Sequence, residues 1–206
     1  MSDNYFYFGS PIYVLDLPDF LVSTTELAEE MLGEITDSLP ELFPMKNTKN
    51  FANHPKVLEF NNFIAQKSRD VLREQGYAMD NFSMHVEDMW VQEHHKHSLM
   101  EQHVHGGAQI VGFYFLNAPD MGSRVLFHDP RPGKVQNFLP ENNPNDATAA
   151  SNVINFTAKP GQLIMSNAWV PHSFSRHGAE EALKFIHFNV YSVYSPPALE
   201  SNAEII

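Results

Sequence analysis

The rhythm of apolar and polar positions changes once along the chain, near residue 80. Before that point, two stretches repeat apolar residues at helical spacing. In STTELAEEMLGEITDSL, Leu27, Met31 and Ile35 recur every fourth residue, Ser23 or Thr24 precedes them, and Glu26 falls in the first turn. This pattern predicts a capped helix over about 24–38. A second helix is predicted over about 55–76, where Val57, Phe60, Phe63, Ile64 and Val71 form one stripe and Lys67, Arg69 and Arg73 lie outside it. Both helices are expected to pack on one face of a sheet. Aromatic and β-branched residues around a Gly-Ser-Pro break in residues 4–16 predict one or two short strands ahead of them.

Beyond residue 80 the runs become short and strand-like: FSMHVEDMWVQE, QIVGFYFL, RVLFHD, NVINFTA, GQLIMSN, HSFSRH and LKFIHFNVYSV. Turn residues separate them, as in NAPDMGS, DPRPGK, PENNPND and KPG. Many short strands with turns between them predict a sandwich or barrel. The polar stretch 130–151, rich in Pro and Asn, is expected to be a long surface loop near the working end. The expected organisation is a single domain over 1–206, mainly β with N-terminal helices. Residues 1–80 hold the first strands and support helices, 81–195 the barrel core, and 196–206 a tail.

Composition narrows the choice of chemistry. A formal net charge of −12 disfavours phosphate backbones and anionic membranes, so a nucleic-acid partner is not expected. The absence of cysteine excludes disulfides, thiolate zinc sites and cysteine nucleophiles, so any metal must be held by His, Asp or Glu. No stretch approaches the ~18 apolar residues of a membrane span. The N-terminus also lacks a basic segment followed by an apolar run, so a cytoplasmic setting is expected. A homodimer is compatible with the sequence.

Residues 101–109 read EQHVHGGAQ. On a strand, His103 and His105 would share a face, about 6.5 Å apart at roughly 3.3 Å per residue. Residues 159–174, KPGQLIMSNAWVPHSF, place His172 at the start of a distant strand. Two imidazoles from one strand and a third from another make a facial site with open positions. Such a site suits non-haem Fe(II) and can also suit zinc. His94, His95 and His97, in HHKH, read as a solvated loop. His85, His128 and His177 carry no informative spacing. His187 shares a face with Asn189, near the pocket mouth, and Trp90 and Trp169 read as core residues.

Five pieces in order carry a resemblance over roughly residues 85–193: WVQEHHKHSLMEQHVHGGAQIVGFYFLNAP, VLFHDPRPG, KPGQLIMSNAWVPHSF and FIHFNV contain a Trp before His-x-His, a Gly-aromatic strand, an Asp-Pro-Arg turn, a Pro-Gly…Pro-His segment and a terminal Phe-Asn. The chain resembles the 2-oxoglutarate/Fe(II)-dependent oxygenases, within a prolyl-hydroxylase-related branch found in bacteria and marine phages. The resemblance implies a double-stranded β-helix, a jelly-roll or cupin-like barrel with helices on one face. It implies Fe(II) held by His103, His105 and His172, with 2-oxoglutarate and O2 as co-substrates. The wider superfamily carries His-x-Asp, so a His at 105 leaves a more cationic site, and Glu101 or Asp129 is the alternative source of a carboxylate. Resembling proteins bind the distal carboxylate of 2-oxoglutarate with an Arg six residues before the final Asn. Here that position is Leu183. Lys184, presented by a bulge, Arg131 and Arg176 are the candidate cations. Tyr114 is a candidate phenol donor, and Asn189 completes the proposed cofactor-binding set.

The activity implied is hydroxylation of an unidentified substrate, a peptidyl or amino-acid side chain, with decarboxylation of 2-oxoglutarate to succinate. Two alternatives remain: a cupin-like three-His metalloenzyme that does not use 2-oxoglutarate, and a non-enzymatic barrel.

Overall fold

The computed structural model describes residues 7–136 and 139–196, so the first residues of the expected N-terminal strand and nearly all of the expected tail lie outside it. Strand β1 (Ile12–Asp16) leads through a 3-10 turn at Pro18–Phe20 into helix α1 (Leu21–Gly33). This helix starts three residues earlier and ends five residues earlier than its apolar spacing predicts. Pro18 presets the first turn, and the low helix propensity of Gly33 falls where the helix stops. The expected Ser23 or Thr24 cap is absent. Both hydroxyls instead donate back to the Phe20 carbonyl, at 3.3 and 2.6 Å. Strand β2 (Met45–Asn47), which the pattern did not reveal, precedes a 3-10 turn at Pro55–Val57 and helix α2 (Leu58–Glu74). Phe60, Ile64, Val71 and Leu72 form the buried stripe of α2, close to expectation.

Eight strands follow: β3 (Phe82–His94), β4 (Met100–His103), β5 (Ile110–Asn117), β6 (Val125–His128), β7 (Val153–Phe156), β8 (Gln162–Asn167), β9 (His172–Phe174) and β10 (Leu183–Tyr194). A short helix, α3 (Pro132–Gln136), interrupts the expected loop between β6 and β7. The major sheet has the order β1-β8-β5-β10-β3-β2 and the minor sheet β4-β9-β6-β7, with every pairing antiparallel. This is the two-sheet barrel expected from the strand pattern, with the helices on one face.

Alternation along the strands of the major sheet sorts the core into two layers. Tyr114, Leu163, Met165, Ile186 and Phe188 face outward and pack with α1 and α2. Val111, Phe113, Phe115, Ile164, Leu183 and Phe185 face inward, where Val125, Phe127 and Phe174 of the minor sheet meet them. Gly112 belongs to the outer layer, and a Cβ there would stand 2.2 Å from the Phe188 ring. Its lack of a side chain lets that ring lie flat on the sheet and meet Phe60 edge-on at 6.3 Å.

Candidate metal centre

Three elements end at one mouth of the barrel and bring three imidazoles together. Strand β4 ends at His103 and pairs there with His172, the first residue of β9. His105 lies just past the end of β4, so the two histidines are not on one regular strand. The His105 amide is fixed instead by the Ala168 carbonyl at 3.0 Å, in the turn that joins β8 to β9. The chain then reverses through Gly107, whose φ of +87° is a left-handed conformation that costs glycine little. Ring centroids stand 5.0 Å apart for His103–His105, 4.5 Å for His103–His172 and 5.2 Å for His105–His172. One ligand nitrogen from each lies within 4.8 Å of the others, and among the described residues this is the one cluster of at least three potential ligands so close together.

The hydrogen bonds around the rings set their tautomers. Nδ1 of His103 lies 2.8 Å from the Glu101 carbonyl, and Nδ1 of His172 lies 3.1 Å from the Val170 carbonyl. A carbonyl only accepts, so each Nδ1 carries the proton and each Nε2 keeps a free lone pair. Nε2 of His105 and of His172 is buried with no protein partner, a cost that a bound cation would remove. Burial lowers the pKa of His172 to about 3. Burial, with His103 adding, lowers that of His105 to about 4, while Asp88 acts in the opposite direction. These rings are therefore neutral at pH 7, as metal ligands must be. The donor set fits a divalent first-row cation and leaves coordination positions open.

Neither expected carboxylate joins the cluster. Glu101 is exposed and contributes only its backbone carbonyl. Asp129 is bound by Arg131 through two side-chain hydrogen bonds of 2.9 and 2.7 Å and one backbone bond of 2.9 Å. The carboxylate that acts on the centre is Asp88 of β3, which accepts from the Tyr191 hydroxyl at 2.7 Å and has the Asn189 amide at 3.4 Å. No local spacing signals it, since its cross-strand partner Asn189 lies on β10.

The candidate anchors for a distal carboxylate separate from the centre. Tyr114 lies in the outer layer and its hydroxyl donates to the Leu17 carbonyl at 2.7 Å, so it cannot reach into the barrel. A register shift does occur between Lys184 and Phe185 where β10 meets β5, yet Lys184 still faces outward. Its ammonium pairs with Glu29 of α1 at 2.6 Å and with Glu93 at 3.3 Å. Arg131 is held by Asp129, and Arg176 is exposed. Asn189 alone of this set stands beside the centre, with Asp88.

Two histidines differ from their sequence reading. His94 is the last residue of β3 and fully buried, with its ring 5.3 Å from Phe174 and 5.2 Å from Phe185. Its neighbours His95 and His97 do lie at the surface. His187 is buried against the centre rather than at the rim: its ring is 4.9 Å from His105 and stacked 4.2 Å from Trp90. Burial holds its pKa well below the usual range. Trp90 thus supports the site, and Trp169, read as core, is 47% exposed.

The comparisons with known proteins agree with this geometry. Residues 88–189 match the family model described as "Putative 2OG-Fe(II) oxygenase". No curated protein matches the chain. Among solved structures, AviO1 from Streptomyces viridochromogenes Tue57 superposes with a TM-score of 0.62 at 12% identity, over 92% of this chain and 93% of that one. The viral collagen prolyl hydroxylase of Paramecium Bursaria Chlorella virus-1, in its 2OG complex, gives 0.54 at 11% identity, over 87% and 94%. HygX from Streptomyces hygroscopicus, with nickel and 2-oxoglutarate bound, gives 0.53 at 12% identity, over 88% and 83%. At such identities the structures establish a shared double-stranded β-helix. The matched family model, not these distant structures, assigns residues 88–189, which hold the three histidines, to the 2-oxoglutarate/Fe(II)-dependent oxygenases, a superfamily of oxidoreductases.

Proposed function

We propose that this protein is an Fe(II)- and 2-oxoglutarate-dependent dioxygenase, acting as one domain in the cytoplasm. It would hydroxylate an unidentified substrate, a peptidyl or amino-acid side chain, while 2-oxoglutarate is decarboxylated to succinate. The observation that carries this reading is the convergence of three imidazoles at the barrel mouth, two of them with a buried, unpartnered Nε2. Fe(II) bound there supplies the redox chemistry with O2 that side chains lack.

The chain's own part is to hold and to shield. His103 and His172 are oriented by backbone carbonyls, so their rings need no reorganisation to bind a cation. Phe113 and Phe127 wall the inner side of His172 at 5.3 and 6.2 Å between ring centroids, which keeps water from that side. Asp88 offsets part of the positive charge that a three-imidazole site leaves on the metal. A cavity of about 140 Å³ lined by Phe127, Asp129, Arg131, Ile154 and Val170 shares Phe127 and Val170 with the surroundings of His172, and is a candidate place for part of the substrate.

A three-His metalloenzyme independent of 2-oxoglutarate is the second reading, favoured by one observation: among the described residues, no lysine or arginine is buried. Uncoupled turnover separates the two. With Fe(II), O2 and 2-oxoglutarate, the wild type is expected to release succinate and His172→Ala is not. Equal succinate from both, or none from an iron-loaded wild type, would overturn the proposal.

A further inference from the structure

The turn that joins β8 to β9 does more than hold His105. Asn167 and Trp169 at that turn also wall a cavity of about 310 Å³, together with Tyr77, Met79 and Phe82 at the approach to β3 and Ala108 ahead of β5. Ala168, between the two, accepts from the His105 amide at 3.0 Å and donates to the Gln109 carbonyl at 2.9 Å. The cavity wall is therefore one residue away from the backbone that fixes a candidate metal ligand. Gln109, also in the wall, is locked in place. Its amide donates to the Val190 carbonyl at 2.9 Å, and its side chain donates to the Gly107 carbonyl at 3.2 Å and accepts from the Ser192 amide.

Size and chemistry narrow the occupant. The volume reaches the range of about 300–1,000 Å³ in which ligand pockets fall. No charged residue lines the cavity, in a chain of net charge −12. A charged group entering it would lose its hydration and meet no opposite charge. Three of the wall residues are aromatic. Phe82 is braced by Tyr194 at 5.3 Å between ring centroids. Tyr77 and Trp169, 54% and 47% exposed, contact no other ring among the described residues. Rings left open in this way offer their faces and edges to a further ring. The Asn167 side chain, in a residue 2% exposed, has its Oδ1 buried without a partner, so the wall also holds an acceptor for a hydroxyl.

We infer that this cavity seats a neutral aromatic side chain of the prime substrate, a phenol in particular, and so presents a neighbouring group to the metal centre. The inference rests on the dioxygenase reading above and names its substrate class: a peptide with a tyrosine-like residue close to the one that is hydroxylated. Burial of the ring against Tyr77 and Trp169 supplies affinity, and Asn167 orients the hydroxyl.

The test is a ligand-observed NMR titration, under argon, of the metal-loaded protein with three probes: N-acetyl-tyrosinamide, N-acetyl-lysinamide and the α-amide of N-acetylglutamate. The tyrosine probe is expected to bind saturably, and the two charged probes at least tenfold more weakly. Equal binding of all three, or no binding of the tyrosine probe, would overturn the inference. Trp169→Ala removes one wall and Ala108→Leu fills the space. Each is expected to weaken the tyrosine probe at least tenfold, and folded variants that bind it as the wild type does would overturn the inference. The ring signals of the bound probe should be broader with paramagnetic Fe(II) in the centre than with Zn(II). Equal widths in an iron-loaded protein would put the cavity too far from the centre to serve its substrate, and would also overturn the inference. A wild type that binds the tyrosine probe but releases no succinate when iron-loaded would instead remove the dioxygenase reading, and the preference of the cavity for a neutral ring would stand.

Discussion

The two faces of the major sheet are made by the same strands and do different work. On the outer face, Tyr114, Ile186 and Phe188 meet Phe60 of α2, and two long polar side chains are tied off: Tyr114 to Leu17, Lys184 to Glu29 and Glu93. On the inner face, one residue over, His187, His94, Gln92 and Asn189 keep polar atoms buried without partners. A protein core rarely leaves such groups unsatisfied, and each costs free energy unless something binds there. Most of the sheet's own unsatisfied groups lie on the face that leads to the candidate metal centre, whereas Asn167 at the end of β8 and Asn61, Ser68 and Arg69 of α2 are the ones on the outer side. The outer face supplies stability, and the inner face gives some of it up for function.

Substitutions can break this contrast, and the largest effect is expected at the ligands. His103→Ala or His105→Ala should weaken Fe(II) binding by more than about 100-fold, beyond the loss typical of groups behind a ligand. His97→Ala, at the surface, should leave it unchanged in the same calorimetric titration. On the outer face, Phe60→Ala removes a ring buried between Phe20, Tyr114 and Phe188 and should cost about 3–5 kcal/mol in denaturant unfolding. The folded fraction should bind Fe(II) as the wild type does. Loss of iron affinity in that variant would show that the faces are not independent.

Lys184→Met is a finer probe. It breaks the partly exposed pairs to Glu29 and Glu93 and should cost about 1–2 kcal/mol after allowance for solvent screening. It should not change the affinity of the iron complex for 2-oxoglutarate. A marked loss of that affinity would return Lys184 to the role of anchor.

A further effect concerns acid. His94 has a folded pKa near 3 because it is buried, against about 6.5 in an unfolded chain. The unfolded state therefore takes up a proton first as pH falls. The stability contributed by neutral His94 is complete above about pH 6.5 and is lost progressively toward pH 3. His94→Leu should flatten the pH dependence of unfolding in that window. An unchanged slope would mean that His94 is charged or solvated in the native protein.

Much of this arrangement was readable from residues alone. His-x-His followed by Pro-His picked out the three imidazoles that the fold brings together, because metal chemistry constrains residue type and spacing more tightly than packing does. The seven strand-like runs beyond residue 80 all became strands. What escaped was parity across bends. The side on which Tyr114 falls depends on how many residues the turn from His105 to Ile110 consumes, and no local pattern records that. His94 was read with its neighbours as a loop, but strand β3 continues to it and turns it inward, leaving His95 outside. Asp88 escaped because its partners Asn189 and Tyr191 lie about a hundred residues away. The start of α1 was set by Pro18 rather than by the apolar repeat.

The central claim is a metal held by three imidazoles and no carboxylate. The most direct test is a crystal structure of the protein loaded anaerobically with Fe(II), with anomalous scattering recorded at the iron edge. One peak per chain is predicted, bonded to Nε2 of His103, His105 and His172. A peak bonded to Glu101 or Asp129, or no peak among the three rings, would contradict the account.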